Sequence, residues 1–256
     1  MWQLTAIQVG AVYTTDPLRY HECLTPYEIK VWCIAATDGV HKILVDTGID
    51  GANLAWIHKH VDAKIWLTPD METTTAVKNA VGWSPEDVDL IINTHLHYDH
   101  CGSNRYFPGA RIIVQRKEYE SAFDPASPQR ALYARRFFDK HAISYFRWQF
   151  LDGEAEILPG LICLPTPGHT DGHQSVLFHT ARGSVCVAGD AATLLANIRE
   201  NIEMGVSIDS KAVYDSMEKI RRCADFIIPA HEPSIENGAT NDFPTTEEAY
   251  NHATSL

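Results

Sequence analysis

"NTHLHYDHCG", residues 93–102, places three histidines and an aspartate within six consecutive positions, His95 to His100, and closes on a Cys-Gly turn signal. So dense a group gains nothing in packing, and it repels itself once the imidazoles take up protons. It makes sense as a set of neutral lone pairs for a metal. In an extended stretch residues two apart point the same way, so His95 and His97 can reach one ion. Asp99 and His100 follow on the turn and face a second position. The segment reads as a compact ligand source for two adjacent metals.

Working outward, "VDLIINT" runs into His95, "GLICLPTPG" into His169, "GSVCVAGD" ends at Asp190 and "DFIIPA" runs into His231. A single histidine after a strand is commonly a hydrogen-bonded surface residue. Four metal-competent side chains, each after an apolar run, are expected to gather at one edge of the sheets. His169 then completes the first site and His231 the second, with Asp190 as the shared carboxylate. Two carboxylates against two divalent cations leave the pair positive, so a water held there is expected to lose its proton near pH ~7 and act as the nucleophile. Asp99, a ligand with an oxygen to spare, is the candidate for carrying the proton to the leaving group. Asp99 and Asp190 are therefore the expected catalytic pair. Zinc is the expected metal; iron, cobalt and manganese suit the same donors.

Short apolar, β-branched runs bounded by turn residues predict strands at "LTAIQVGAVY", "IKVWCIAAT", "HKILVDTG", "VDLIINTH", "ARIIVQ", "GLICLPTPG", "SVLFHT", "GSVCVAGD" and "DFIIPAH". Helical patterns fall at 51–60, 71–80, 116–123, 128–141 and 209–223, the last with Val213, Met217 and Ile220 on one face behind a cap from Asp209 or Ser210. Strands, helices and strands again imply an α/β (α+β) chain folded as an αββα four-layer sandwich, with 1–256 as one domain.

The formal net charge of −12 and the lack of a basic run exclude nucleic acid as an expected partner. The six cysteines are widely spaced with no C-x-x-C pair, and are expected to be buried free thiols in a reducing cytoplasm. "MWQLTAIQVGAVYTTD" has neither a basic start nor a long apolar core, and no run approaches the ~20 apolar residues of a membrane span. A small-molecule substrate is the expected partner, with a homodimer as a possibility.

"THLHYDHCG" resembles the signature of the metallo-β-lactamase-fold hydrolases, and "PTPGHTDGHQS", "VAGDA" and "IIPAHEP" resemble that superfamily's later metal motifs in the same order. "LVDTG", 44–48, is similar to its early Asp-Thr-Gly turn. The resemblance covers residues 28–235 and implies that Asp46 orients the ligand histidines from behind. His97 stands where flavodiiron-type members carry Glu, which implies hydrolysis rather than oxygen reduction. "IIVQRKEYESAFDP" and "TPGHTDGHQSVLF" resemble the N-acyl homoserine lactonase branch and imply that a small cyclic ester or amide is opened. Two departures mark a divergent member. Thr193 stands where those lactonases place a Tyr three residues after the shared Asp, and "AHEP" replaces Gly-His-Asp.

Specificity is expected from 121–150, rich in arginine and aromatics, and from 193–206; ordinary helical core or a dimer contact is the alternative for both. Thr193, Arg135 and Arg136 are the candidate substrate contacts, and an anionic substrate follows if either arginine faces the pocket. His173 is expected to support the ligands from behind or to be structural rather than to bind metal, and His21, His41, His58, His60, His141, His179 and His252 are expected to be solvated. The competing readings are a thioesterase of the glyoxalase II kind, a sulfur dioxygenase, and a non-catalytic metal-binding or metal-sensing protein; the acidic tail offers no basic glutathione site.

Overall fold

The computed structural model describes residues 1–14, 27–61 and 63–246. His21, Cys23 and His252 lie outside the described residues. Among the described residues there are twelve strands: β1 Gln3–Thr14, β2 Tyr27–Thr37, β3 Lys42–Val45, β4 Lys64–Trp66, β5 Leu90–Ile92, β6 Arg111–Gln115, β7 Arg147–Leu151, β8 Ala155–Leu158, β9 Leu161–Pro165, β10 Gln174–Thr180, β11 Gly183–Gly189 and β12 Phe226–Pro229. They form a seven-stranded sheet in the order β4-β1-β2-β3-β5-β6-β7 and a five-stranded sheet in the order β12-β11-β10-β9-β8. Seven α-helices accompany them: α1 Leu54–His60, α2 Thr73–Val81, α3 Tyr98–Cys101, α4 Arg116–Ser121, α5 Arg135–Phe138, α6 Leu195–Glu200 and α7 Ser210–Cys223.

The period-2 alternation of side chains builds the layers. Along β2, Trp32, Ile34 and Ala36 enter the apolar seam between the sheets, where they meet Val176 and Phe178 of β10 and Val185 and Val187 of β11. Val31, Cys33 and Ala35 point the other way, into a core shared with Ile57 of α1, Val77 of α2 and Phe137 of α5. On the far side Leu177 and Cys186 pack against Ile198 of α6 and against Val213, Met217 and Ile220 of α7. Both faces of both sheets are covered, which is the expected αββα sandwich.

α7 matches its prediction closely: Asp209 caps it by accepting from the Ala212 amide at 3.0 Å, and the three apolar residues named above are buried. The predicted helix over 128–141 does not form as one element. A 3-10 turn at Ser127–Gln129 and the single α-helical turn α5 stand in its place, because Tyr133, Ala134, Phe137 and Phe138 are all drawn into the core and the chain between is shaped by turns to put them there. The aromatic run beyond it supplies edge strand β7, paired in parallel with β6. β4 and β8, short and half polar, carry too little periodicity to be legible in advance. Cys33, Cys101, Cys163 and Cys186 are buried free thiols as expected, whereas Cys223 is only half-buried.

Candidate metal centre

The strand ends meet on one side of the sandwich. β5 delivers the 93–102 segment, the loop after β9 carries His169, Asp190 directly follows β11, and His231 lies just beyond β12. Two glycines permit the close approach. Gly48 sits at φ +70, and a Cβ there would lie 2.3 Å from a methyl of Val9. Gly189 sits at φ +56, where a Cβ would lie 2.6 Å from His173 Nε2 and 2.7 Å from Thr94 Cβ, so only glycine lets Asp190 reach the histidines.

His95 Nε2 lies 2.9 Å and His169 Nε2 lies 3.2 Å from His97 Nδ1, so three imidazole nitrogens point at one spot. Asp190 turns Oδ2 toward His169 Nε2 at 3.2 Å and Oδ1 toward His231 Nε2 at 3.2 Å and His100 Nε2 at 3.4 Å. Asp99 Oδ2 stands 3.9 Å from His100 Nε2 and 3.8 Å from His231 Nε2. Three donor groups result, each drawn together within 4.8 Å: His95, His97 and His169; His95, His100 and Asp190; Asp99, His100 and His231. All seven predicted ligands converge. Six of the seven are buried, and Asp99 is half-buried.

The far side of the rings is held by the protein. His100 Nδ1 lies 2.8 Å from Asp46 Oδ2, His231 Nδ1 2.8 Å from the Lys30 carbonyl, His169 Nδ1 2.6 Å from the Val206 carbonyl, and His95 Nδ1 3.1 Å from Thr94 Oγ1. Asp46, in the left-handed region at φ +56, also accepts from the Thr94 amide at 2.8 Å and hydroxyl at 2.7 Å, so it braces the loop as well as His100. Such partners set each ring's tautomer and leave the inner nitrogen as a lone pair.

The electrostatics fit the same use. Burial, reinforced by neighbouring imidazoles, holds His95 and His97 well below the ordinary histidine range; burial also lowers His169. Burial opposes the charged forms of His100 and His231 too, but the Asp190 carboxylate outweighs it; His100 rises to about 10, with further help from Asp46 and Asp99. Asp190 is itself held well below the carboxylate range, burial being overcome by His231, His100 and His169. His100 Nε2 and Asp190 Oδ1 are buried without a hydrogen-bond partner. A buried carboxylate oxygen and a buried imidazole nitrogen without hydrogen-bond partners, beside the neutral imidazoles of His95, His97 and His169, are what a divalent cation would satisfy in place of the protons on His100 and His231, and the donor set fits a pair of such ions.

The centre opens on a cavity of about 390 Å³ lined by Val12, Ile29, Val61, Ala131, Leu132 and Met204, with His97, Tyr98, Asp99, His169, Asp190, Thr193 and His231 at its polar end. Burial, Asp99 and Asp190 raise the Tyr98 phenol well above its ordinary range, so it keeps its proton. Thr193 lines the cavity as expected and donates to Asn197 Oδ1 at 3.0 Å. Arg135 and Arg136 do not line it. Arg135 lies over the Phe123 ring and donates to the Phe123 carbonyl; Arg136 lies over the Trp56 ring and donates to Asn53 Oδ1. Both are exposed, because the buried neighbours Phe137 and Phe138 use the inward positions of that turn.

Three residues went unrecognised in the sequence. His60, exposed as expected, also lines the cavity, stacked on Trp56 with Nδ1 2.7 Å from the Trp56 carbonyl. Tyr98, hidden among the histidines, joins it at the polar end. Glu118 is fully buried and accepts from the Leu96 amide at 3.0 Å, Tyr133 hydroxyl at 2.8 Å, Thr170 hydroxyl at 2.6 Å and Gly172 amide at 3.3 Å. It ties the His95–His97 stretch to the His169 loop. A glutamate in a charged helical stretch, "RKEYES", gives no sign of burial. His173 is fully buried, with Nδ1 3.0 Å from the Thr166 carbonyl and Nε2 without a hydrogen-bond partner.

The fold and the converged donors define a metal-dependent hydrolase. Residues 27–231 match the family model described as the metallo-beta-lactamase superfamily, and the chain belongs to that superfamily. It is 31% identical over 215 residues to an N-acyl homoserine lactonase from Bacillus sp, covering 80% of this chain and 82% of that protein. It is 34% identical over 165 residues to N-acyl homoserine lactonase AttM of Rhizobium radiobacter, covering 60% of this chain and 62% of the relative. Among solved structures it resembles an N-acyl homoserine lactone hydrolase holding the product N-hexanoyl-L-homoserine at its catalytic metal centre, with a TM-score of 0.79, 25% identity, and 92% and 96% of the two chains covered.

Proposed function

We propose that this protein opens the ring of a small, uncharged lactone by hydrolysis at a dinuclear centre held by His95, His97, Asp99, His100, His169, Asp190 and His231. The observation that carries the reading is the junction of those converged donors with an apolar cavity that no lysine or arginine lines among the described residues. A cavity of that kind favours an ester with a hydrocarbon substituent and gives an anionic substrate nothing to pair with. The lack of a cation also disfavours a glutathione thioester, so the thioesterase reading falls behind. Kinship with proteins named as N-acyl homoserine lactonases points to the same ring chemistry.

When bound, a pair of divalent cations, which we take to be zinc, polarises the ester carbonyl and makes water nucleophilic near neutral pH. The chain's own part is to hold those donors without play. Asp46, Lys30, Val206 and Thr94 fix the tautomers, Asp190 spans the two halves of the cluster, and the apolar wall orients the ring and limits bulk water. Asp99, half-buried at the cavity edge, is placed to hold the proton that the opening ring needs at its leaving oxygen. Among the described residues no helix is long and apolar enough to cross a membrane, and we assign the protein to the cytoplasm.

The test is to load the full chain with zinc, count metal per chain, and offer N-hexanoyl-homoserine lactone, γ-butyrolactone and a glutathione thioester. Ring opening of a lactone with negligible thioester cleavage is expected. Thioester cleavage without lactone opening would overturn the reading.

A further inference from the structure

We propose that the Tyr98 hydroxyl is the hydrogen-bond donor that binds the carbonyl oxygen of the substrate; this rests on the lactone reading above. A carbonyl that gains negative charge during attack is stabilised by a donor aimed at its oxygen in a site shielded from water. Thr14, which also lines the cavity, is engaged in an interaction of its own, and the other polar side chains narrow the choice to one. Asp190 faces His100, His169 and His231, and Asp99 is reserved for the leaving oxygen. His169 and His231 commit their outer nitrogens to the Val206 and Lys30 carbonyls and turn their inner ones toward Asp190. His60 commits Nδ1 to the Trp56 carbonyl, which leaves its Nε2 an acceptor when neutral. Thr193 gives its proton to Asn197 Oδ1. His97 points Nδ1 at His95 and His169, and its Nε2 is sealed from solvent. Tyr98 remains: it lines the cavity, only its amide is engaged, to the Leu132 carbonyl, and its hydroxyl has no partner among the described residues.

Its position is rigid. Tyr98 opens α3 between His97 and Asp99, and it is only 3% exposed. The ring is therefore locked by the segment that supplies four of the donors. A phenylalanine would fill the same space, so the hydroxyl is a specific addition with no structural bond to account for it.

Tyr98→Phe in the zinc-loaded full chain, assayed on N-hexanoyl-homoserine lactone, is expected to lower kcat/KM by about 100-fold, mostly in kcat, with metal content and Tm unchanged. A merely structural tyrosine would instead shift Tm or metal content and leave kcat per loaded centre intact. A second measurement does not depend on turnover: protein labelled with ¹³C at tyrosine Cζ is titrated with the hydrolysis-resistant lactam analogue of that lactone. The Tyr98 resonance, identified by its loss in Y98F, is expected to shift. Turnover by Y98F within about twofold of the parent, or a Tyr98 resonance that ignores saturating lactam, would overturn the assignment. If the parent opens no lactone at all, the functional reading fails, while the lactam titration still decides whether this hydroxyl meets a carbonyl.

Discussion

The floor and the wall of the cavity are built on opposite principles. On the floor nearly every side chain is held twice, once by its neighbours in the cluster and once from behind, as His100 is by Asp46 and His231 by the Lys30 carbonyl. On the wall, Val12, Ile29, Leu132 and Met204 are held by packing alone. Directional bonds fix atoms to fractions of an ångström, whereas apolar contacts tolerate exchange among shapes of similar volume. The floor therefore sets the reaction, and the wall sets which substrate arrives. Changes on the floor should act on every substrate alike; changes on the wall should act in proportion to the hydrocarbon carried.

The widest break in that contrast comes from Asp190→Ala or His100→Ala. Each is expected to abolish turnover of all lactones and to lower bound metal per chain while the circular dichroism of the fold persists. Retained activity in either variant would remove the floor as the seat of chemistry. Glu118→Gln comes next, because it weakens four bonds joining the two histidine loops without touching a proposed ligand. Metal affinity should fall by about 10- to 100-fold in chelator competition, and unchanged affinity would confine Glu118 to the core.

On the wall, Leu132→Ala should raise KM for N-hexanoyl-homoserine lactone by up to about tenfold, roughly the value of one or two buried methylenes, and leave γ-butyrolactone unaffected. Equal effects on both would dissolve the distinction between floor and wall. Smaller again is a pH effect on the metal-free protein. Burial pushes His173 down to about 3, so between there and its unfolded value of 6.5 only the unfolded chain binds the proton. Its contribution is thus complete above 6.5 and is lost as pH falls, with a slope of at most ~1.4 kcal/mol per pH unit. Urea unfolding of the metal-free protein should show stability falling from pH 7 to 5, and His173→Gln should flatten that slope. Least of all, Arg135→Ala and Arg136→Ala, which face away from the cavity, should change turnover by less than about twofold.

What could be read in advance follows the same division. The seven residues that converge were legible because metal binding would demand particular residue types at short, fixed spacings, and because the 95–100 cluster, His169, Asp190 and His231 each follow an apolar run that ends where the sheets end. The strand alternation in β2, β10 and β11 was legible for a similar reason: a sheet covered on both faces needs apolar residues at odd and even positions alike. The break-up of 128–141 was not, since whether Phe137 and Phe138 support a long helix or a single turn depends on the core that receives them. Glu118 was misjudged because burial of a charged side chain is decided by partners far away in the chain.

By itself, then, the order of residues determined the donors, the αββα layering and the family, all of which rest on local periodicity and on motifs of a few residues. Only the tertiary structure decided that Arg135 and Arg136 turn outward, that the cavity wall beyond the donor cluster is apolar and has no lysine or arginine among the described residues, and that the Tyr98 hydroxyl has no partner among them. Those are properties of what lies opposite a side chain, and that is set by where distant strands and loops close on one another.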